Sequence, residues 1–186
     1  MERVAGTVAA AVLWRVNPAI FVARSRIHEG TKRWDLMLAA LIMLSFALVF
    51  PVAAVDAVRL HRGAAPWWVY GLGYVLLLVG FGITAWAQAV NKFFEPTVRI
   101  QTDRGHRVID TGPYAVVRHP GYVAGCLLIA GAALSLGSRG ALIPAAVAAG
   151  LLVVRTRWED ETLRAELDGY EAYTRRVRFK WIPGVW

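Results

Sequence analysis

The chain has 186 residues, 57% of them hydrophobic, with eight Trp and a formal net charge of +8. That length suits one domain, and a soluble domain rarely combines so apolar a composition with so basic a balance, whereas a membrane protein with basic cytoplasmic edges does so readily. The basic residues fall between apolar runs and form no continuous polar face, which argues against nucleic acid as a partner, and the single cysteine, Cys126, excludes a disulfide framework.

Residues 5–22 form the first element. Arg3 precedes an apolar stretch that Arg15, Asn17 and Pro18 interrupt. It has no clean cleavage site, so no cleavable signal peptide is expected. It reads as an interfacial or partly inserted amphipathic segment, with an additional span as the alternative. Arg24, Arg26, Lys32 and Arg33 make residues 24–35 a basic cytoplasmic loop. Residues 36–58 are almost wholly apolar, more than the ~20 residues needed to cross a ~30 Å hydrocarbon core. Pro51 is expected to kink this span, and Asp56 to reach water near its outer end.

A short loop over residues 59–66 leads to Trp67 and Trp68, an interfacial pair, and to a second span over residues 67–90. In that span Gly71, Gly73, Gly80 and Gly82 would let another helix approach closely. Gln88 and Asn91 at its inner end read as satisfied interfacial amides or pocket groups. Residues 92–120 form a connector too long for a simple turn, and long ordered loops in compact proteins are usually functional. It contains the turn Asp103-Arg104-Gly105-His106 and, at residues 98–101, a short strand or extended piece.

Apolar runs at residues 122–136 and 140–154 flank Gly137-Ser138-Arg139-Gly140 and predict a helical hairpin. Its second helix continues through Arg155, Trp158, Glu159, Leu163 and Glu166, whose three-and-four spacing supports a helix. Asp168-Gly169 stops it, and a basic tail with Arg175, Arg176, Arg178 and Lys180 follows. Most Lys and Arg lie in the N-terminal loop, the connector and the tail, while the opposite loops hold Arg59, Arg62 and Arg139. The positive-inside rule then puts both termini and the connector in the cytoplasm. The expected fold is all-α: a polytopic membrane helical bundle of four main spans, residues 1–186 forming one integral membrane domain of the inner or plasma membrane.

The chemistry concentrates in residues 110–122. Gly112-Pro113 reads as a turn or helix start, because Pro at the first helical position loses no needed N–H. His119-Pro120-Gly121 opens the apolar run at Tyr122. The amides of Gly121, Tyr122 and Val123 are expected as orphan donors at a helix N-terminus, which favours an anion. Arg118 and His119 add charge and hydrogen bonds, and Tyr114 and Tyr122 add ring faces. The same residues also suit a plain interfacial anchor. Across the hairpin stand the adjacent carboxylates Glu159 and Asp160. Arg155, one turn before Glu159, is its expected partner; for Asp160, Glu161 and Glu166 a solvated helix end is the plainer reading. Both hairpin legs span about 18–20 residues from the turn, so Pro120 and Glu159 reach the same depth. An anion site facing a carboxylate fits a zwitterion with ribose hydroxyls. His28, His61, His106 and His119 are scattered, and no His/Cys set has metal-ligand spacing.

The run Gly112-Pro113-Tyr114, Arg118-His119-Pro120-Gly121-Tyr122, Glu159-Asp160 with Leu163, and Gly169-Tyr170 with Tyr173 resembles the isoprenylcysteine carboxyl methyltransferase and phospholipid N-methyltransferase superfamily. Upstream, Gly30-Thr31-Lys32-Arg33-Trp34-Asp35 is similar to its bacterial members. The resemblance implies an integral membrane, S-adenosylmethionine-dependent methyltransferase with a cytoplasm-facing cofactor site in residues 91–186. It implies cofactor contacts from Gly112, Pro113, Tyr114, Arg118, His119, Pro120, Tyr122, Glu159 and Asp160. The family often has two glutamates where this chain has Glu159 and Asp160. The acceptor implied is lipophilic or membrane-partitioned, a lipid or small molecule methylated at a carboxyl, amine or thiol. Methyl transfer from a sulfonium needs mainly positioning, and the rings of Tyr114 or Tyr122 tolerate such a cation. His119 is read as a holder of the cofactor carboxylate, Arg99 and Gln101 as acceptor-facing or structural, and no catalytic base is assigned. The rival class is a non-enzymatic membrane protein, an assembly partner or small-molecule carrier, which cofactor binding would separate from the enzyme.

Overall fold

The structure, a computed structural model, describes residues 14–18, 29–58 and 65–186. Most of the 5–22 segment, the loop at 59–64 with Arg59 and Arg62, and His28 and His61 lie outside the described residues. The elements in order are α1 (Arg33–Val58), α2 (Trp67–Val90), 3-10 turns at Thr102–Arg104 and Gly112–Ala115, α3 (Pro120–Ser135), α4 (Leu142–Glu166) and α5 (Tyr170–Arg176). No strand forms among the described residues, and residues 98–101 are extended backbone leading into the first 3-10 turn.

The 26 residues of α1 and 24 of α2 are each long and apolar enough to cross a membrane. Only 28% and 11% of their most apolar stretches are buried, and Met43, Phe50, Leu78 and Phe81 face outward. A core helix of a soluble protein hides such side chains, so this perimeter is one that lipid would cover. Inside, Val49 and Ala53 of α1 meet Ile129 and Ala133 of α3, Ala141 just before α4, and Ala145 and Ala148 of α4. Small residues let these backbones approach closely.

The α2–α3 seam is built the same way. A Cβ on Gly73 would lie 2.3 Å from the Ser135 amide nitrogen, and one on Gly80 2.9 Å from Leu128 Cγ. Gly71 and Gly82 face open space. Of the four glycines expected at a helix contact, the two spaced seven apart therefore form it, because that spacing keeps them on one stripe.

Asp56 departs from expectation. Its carboxylate does not reach water but is buried, accepting hydrogen bonds from Ser138 Oγ at 2.8 Å and the Gly140 amide at 3.1 Å. Ser138 Oγ in turn accepts from the Ala141 amide. The loop before α4 presents amides that need acceptors, and Asp56 ties the hairpin turn to the end of α1.

Beyond α4 the chain turns at Gly169, whose φ is +81°, and folds back as α5. Leu167, Tyr170, Tyr173 and Val177 bury against Ile100, Val108 and Leu163. Helical spacing on Tyr170, Tyr173 and Val177 marks this short element, so Arg175 and Arg176, expected in a basic tail, belong to a helix.

Candidate functional site

Gly112 has a φ of +57°, so the connector can turn tightly beside Trp86 and Val90, where a Cβ would lie 3.0 Å from Trp86 Nε1. Pro113 and Tyr114 follow as buried residues of the 3-10 turn, and the Tyr173 hydroxyl donates to the Tyr114 carbonyl at 2.7 Å. His119 then caps α3, with Pro120 in its first turn. The amides of Tyr122 and Val123 turn onto the His119 carbonyl at 3.1 and 3.4 Å. Two of the three amides expected as orphan donors are thus satisfied by the turn itself, and the expected three-amide anion site is reduced accordingly.

Asp160 is the polar centre behind this turn. It is 2% exposed, which corrects the expectation of a solvated helix end. One residue past Glu159 on a helix is a rotation of ~100°, and that carries Asp160 inward between α3 and the segment after α5. Arg118 donates to it from Nε at 2.8 Å and Nη2 at 3.1 Å, Tyr170 donates its hydroxyl at 2.9 Å, and His119 Nε2 lies 3.3 Å away. A buried carboxylate is costly unless paired and hydrogen-bonded, and these donors supply both. Arg118 spends its Nη1 on the carbonyls of Val177 and Arg178. Its guanidinium therefore braces the site from within.

Glu159 points the other way. Its side chain is 22% exposed and accepts a hydrogen bond from the Tyr122 hydroxyl. His119 Nδ1 is 3.8 Å from it, and the His119 and Tyr122 rings stack at 5.7 Å. Arg155, expected to pair with Glu159, pairs with Asp35 instead. Nε donates to Oδ1 at 2.6 Å and Nη2 to Oδ2 at 2.9 Å, with a further bond to the Pro96 carbonyl. Asp35 is fully buried and also accepts from the Val98 amide at 2.7 Å. A buried carboxylate needs a guanidinium far more than one that still meets solvent, which decides the pairing. The guanidinium also sits 5.4 Å from the Tyr122 ring centroid.

These groups line a cavity of about 600 Å³. Asn91, Glu95, Arg99, His106 and Arg107 of the connector form one end; Tyr114, Arg118, His119, Pro120, Tyr122 and Glu159 form a wall; Ile42, Met43 and Phe46 of α1 with Leu152 of α4 form the apolar side. Six of the nine residues singled out in the sequence thus reach the cavity. Gly112, Pro113 and Asp160 do not; they shape the wall from behind. Arg99 and Gln101 line the cavity but are already committed, Arg99 to Glu95 and Asp103 and Gln101 to the Phe93 carbonyl. Glu95, Asp35 and His106 were missed. Asp35 sits in the first turn of a span at the depth of Arg155, and that shared depth was the available signal. His106 Nδ1 accepts the Gln101 amide at 3.2 Å, and burial pushes its pKa from 6.5 down to about 4.

A family model described as phospholipid methyltransferase matches residues 68–167, taking in nearly all of α2, the connector, α3 and α4. No curated protein matches the chain.

Proposed function

The chain belongs to the phospholipid methyltransferase family, a family of membrane methyltransferases, and from that premise we propose that it transfers a methyl group from S-adenosylmethionine to a lipophilic acceptor drawn from the bilayer. The observation that carries the reading is the two-sided cavity. Its polar wall at His119, Tyr122 and Glu159 is continuous with an apolar side made by Ile42, Met43 and Phe46, and Met43 is also exposed on the outer face of α1.

The residues suit this cofactor. A volume of about 600 Å³ falls within the ~300–1,000 Å³ of small-molecule sites. The partly exposed carboxylate of Glu159 offers an acceptor for an ammonium or ribose hydroxyls. The ring of Tyr114 offers a face for a sulfonium, whereas Tyr122 already stacks on His119 and meets the Arg155 guanidinium. Arg107 offers a cation for a carboxylate, a task for which Arg118 has little capacity left. When bound, S-adenosylmethionine supplies an electrophilic methyl group. The work of the chain's own residues is then to orient both partners and exclude water: Asp160 fixes Arg118 and His119, and Tyr122 fixes Glu159.

The same reading makes α1, α2 and the α3–α4 hairpin four spans, with both termini and the connector in the cytoplasm. The excess of Lys and Arg on that side supports it. Detergent-purified protein incubated with methyl-labelled S-adenosylmethionine and native membrane lipid extract should transfer label into the lipid fraction. Absence of both transfer and cofactor binding would overturn the proposal.

A further inference from the structure

We infer that residues 178–186 form a foot that docks on an anionic lipid surface beside α4. This rests on the membrane placement proposed above and not on methyl transfer.

The segment is a compact knot. The amides of Lys180, Trp181 and Ile182 all converge on the Trp186 carbonyl, at 2.9, 2.9 and 3.2 Å, and the Trp181 and Trp186 rings meet edge to face at 5.4 Å. It is fastened to α4 by the Trp181 indole N–H, which donates to Thr156 Oγ1 at 2.9 Å. The apolar run of α4 ends at Val154 and charged residues begin at Arg155. The knot therefore packs on α4 where the helix passes from apolar to charged, the pattern of a membrane boundary.

Its composition matches that level. Ile182 and Val185 at the tip are 53% and 76% exposed. Around them are cations. Lys180 Nζ lies 5.0 Å and the Arg157 guanidinium 5.8 Å from the Trp186 ring centroid, and Arg178 is exposed. Residues 172–186 contain no acidic side chain. Asp160 is engaged by Arg118, Arg164 and Lys180 and Glu171 by Arg164 and Arg175, which leaves Arg157 and Arg178 without a carboxylate partner among the described residues. Aliphatic tips, indoles and the cations Arg157 and Arg178 together are what an anionic headgroup layer attracts. The Arg118 and His119 amides donate to the Phe179 and Lys180 carbonyls at 3.0 and 2.9 Å, so the foot is bolted to the wall of the cavity and sets its height above the lipid.

The test uses the full chain carrying Cys126→Ala and Val185→Cys, labelled with an environment-sensitive dye and reconstituted into phosphatidylcholine vesicles with or without phosphatidylglycerol. Headgroup-proximal brominated lipid should quench the Val185 dye and shift its emission to the blue, more strongly with phosphatidylglycerol present. Arg157→Gln with Arg178→Gln should erase that difference. A dye at Glu171→Cys should stay unquenched. Equal quenching in both vesicles would overturn the anionic assignment, and a Val185 dye as water-exposed as the Glu171 dye would overturn the foot. Neither readout depends on methyl transfer, so failure here and failure of the enzyme reading are separable.

Discussion

Arg155 and Asp35, 120 positions apart in the chain, form a buried two-point ion pair at 2.6 and 2.9 Å. Because Arg155 is spent on that pair, Glu159 one turn away keeps a free edge toward the cavity. The pair also holds the Val98 amide, so it joins α1, the connector and α4 at one point.

Breaking this pair should be costly and replacing it cheap. Asp35→Ala strands a buried guanidinium and is expected to lower stability by about 3–5 kcal/mol. Asp35→Leu combined with Arg155→Met substitutes an apolar contact and should recover most of the loss. Thermal unfolding in detergent reads both; a single variant costing under about 1 kcal/mol would remove the pair from the scaffold.

The glycine seam predicts an asymmetry. Gly73→Ala places a Cβ where the Ser135 backbone stands and should destabilise by about 1–3 kcal/mol through overpacking. Gly71→Ala meets nothing within 4 Å and should be neutral or stabilise by up to about 1 kcal/mol, since alanine is the better helix former. Comparable melting temperatures for the two would contradict the α2–α3 contact.

Acid should act on the connector through His106. Its folded pKa of about 4 lies below the usual 6.5, so the unfolded chain binds the extra proton first. Stability is then fully present above pH 6.5 and falls as pH drops toward 4, by at most about 3 kcal/mol. Burial is the main cause; Glu95 opposes it, while Arg99 and Arg104 reinforce it. His106→Asn keeps an acceptor for the Gln101 amide without titrating, and its melting temperature should change less across this window. Identical pH profiles for parent and variant would refute the neutral, buried His106.

Asp160 and Glu159 should separate by readout. Asp160→Asn leaves Arg118 without its buried counter-charge and is expected to lower the melting temperature markedly, a loss of about 3 kcal/mol or more. A variant that melts like the parent would mean that Asp160 is not the structural centre of the site.

Much of this was legible in the chain because apolar run length and turn residues are local signals. The long apolar helices, the hairpin turn at Gly137 and Ser138, and the approach of His119 and Tyr122 to Glu159 all follow from such signals plus the equal length of two helices. What depended on rotation about a helix axis was not legible. Glu159 and Asp160 are neighbours with opposite environments, and Gly71 and Gly73 differ in the same way. Long-range polar partners were hidden as well, since nothing near Arg155 in sequence names Asp35, and nothing near Asp56 names Ser138. Family likeness pointed to residues around His119, but it could not tell those that line the cavity from Gly112, Pro113 and Asp160, which support it.

Glu159 is the group proposed to present its carboxylate to a bound cofactor. The direct measurement is calorimetric affinity for S-adenosylhomocysteine, the demethylated cofactor, with parent, Glu159→Gln and Glu166→Gln, alongside their melting temperatures. Glu166 is exposed and paired with Lys32, so its variant should bind like the parent and lose no more than about 1 kcal/mol of stability. Glu159→Gln should weaken binding by about tenfold or more, the equivalent of losing a hydrogen bond to a charged group at about 1.5–3 kcal/mol, with its melting temperature unchanged. Parent-like affinity in Glu159→Gln, or a loss that appears only together with early melting, would contradict the account.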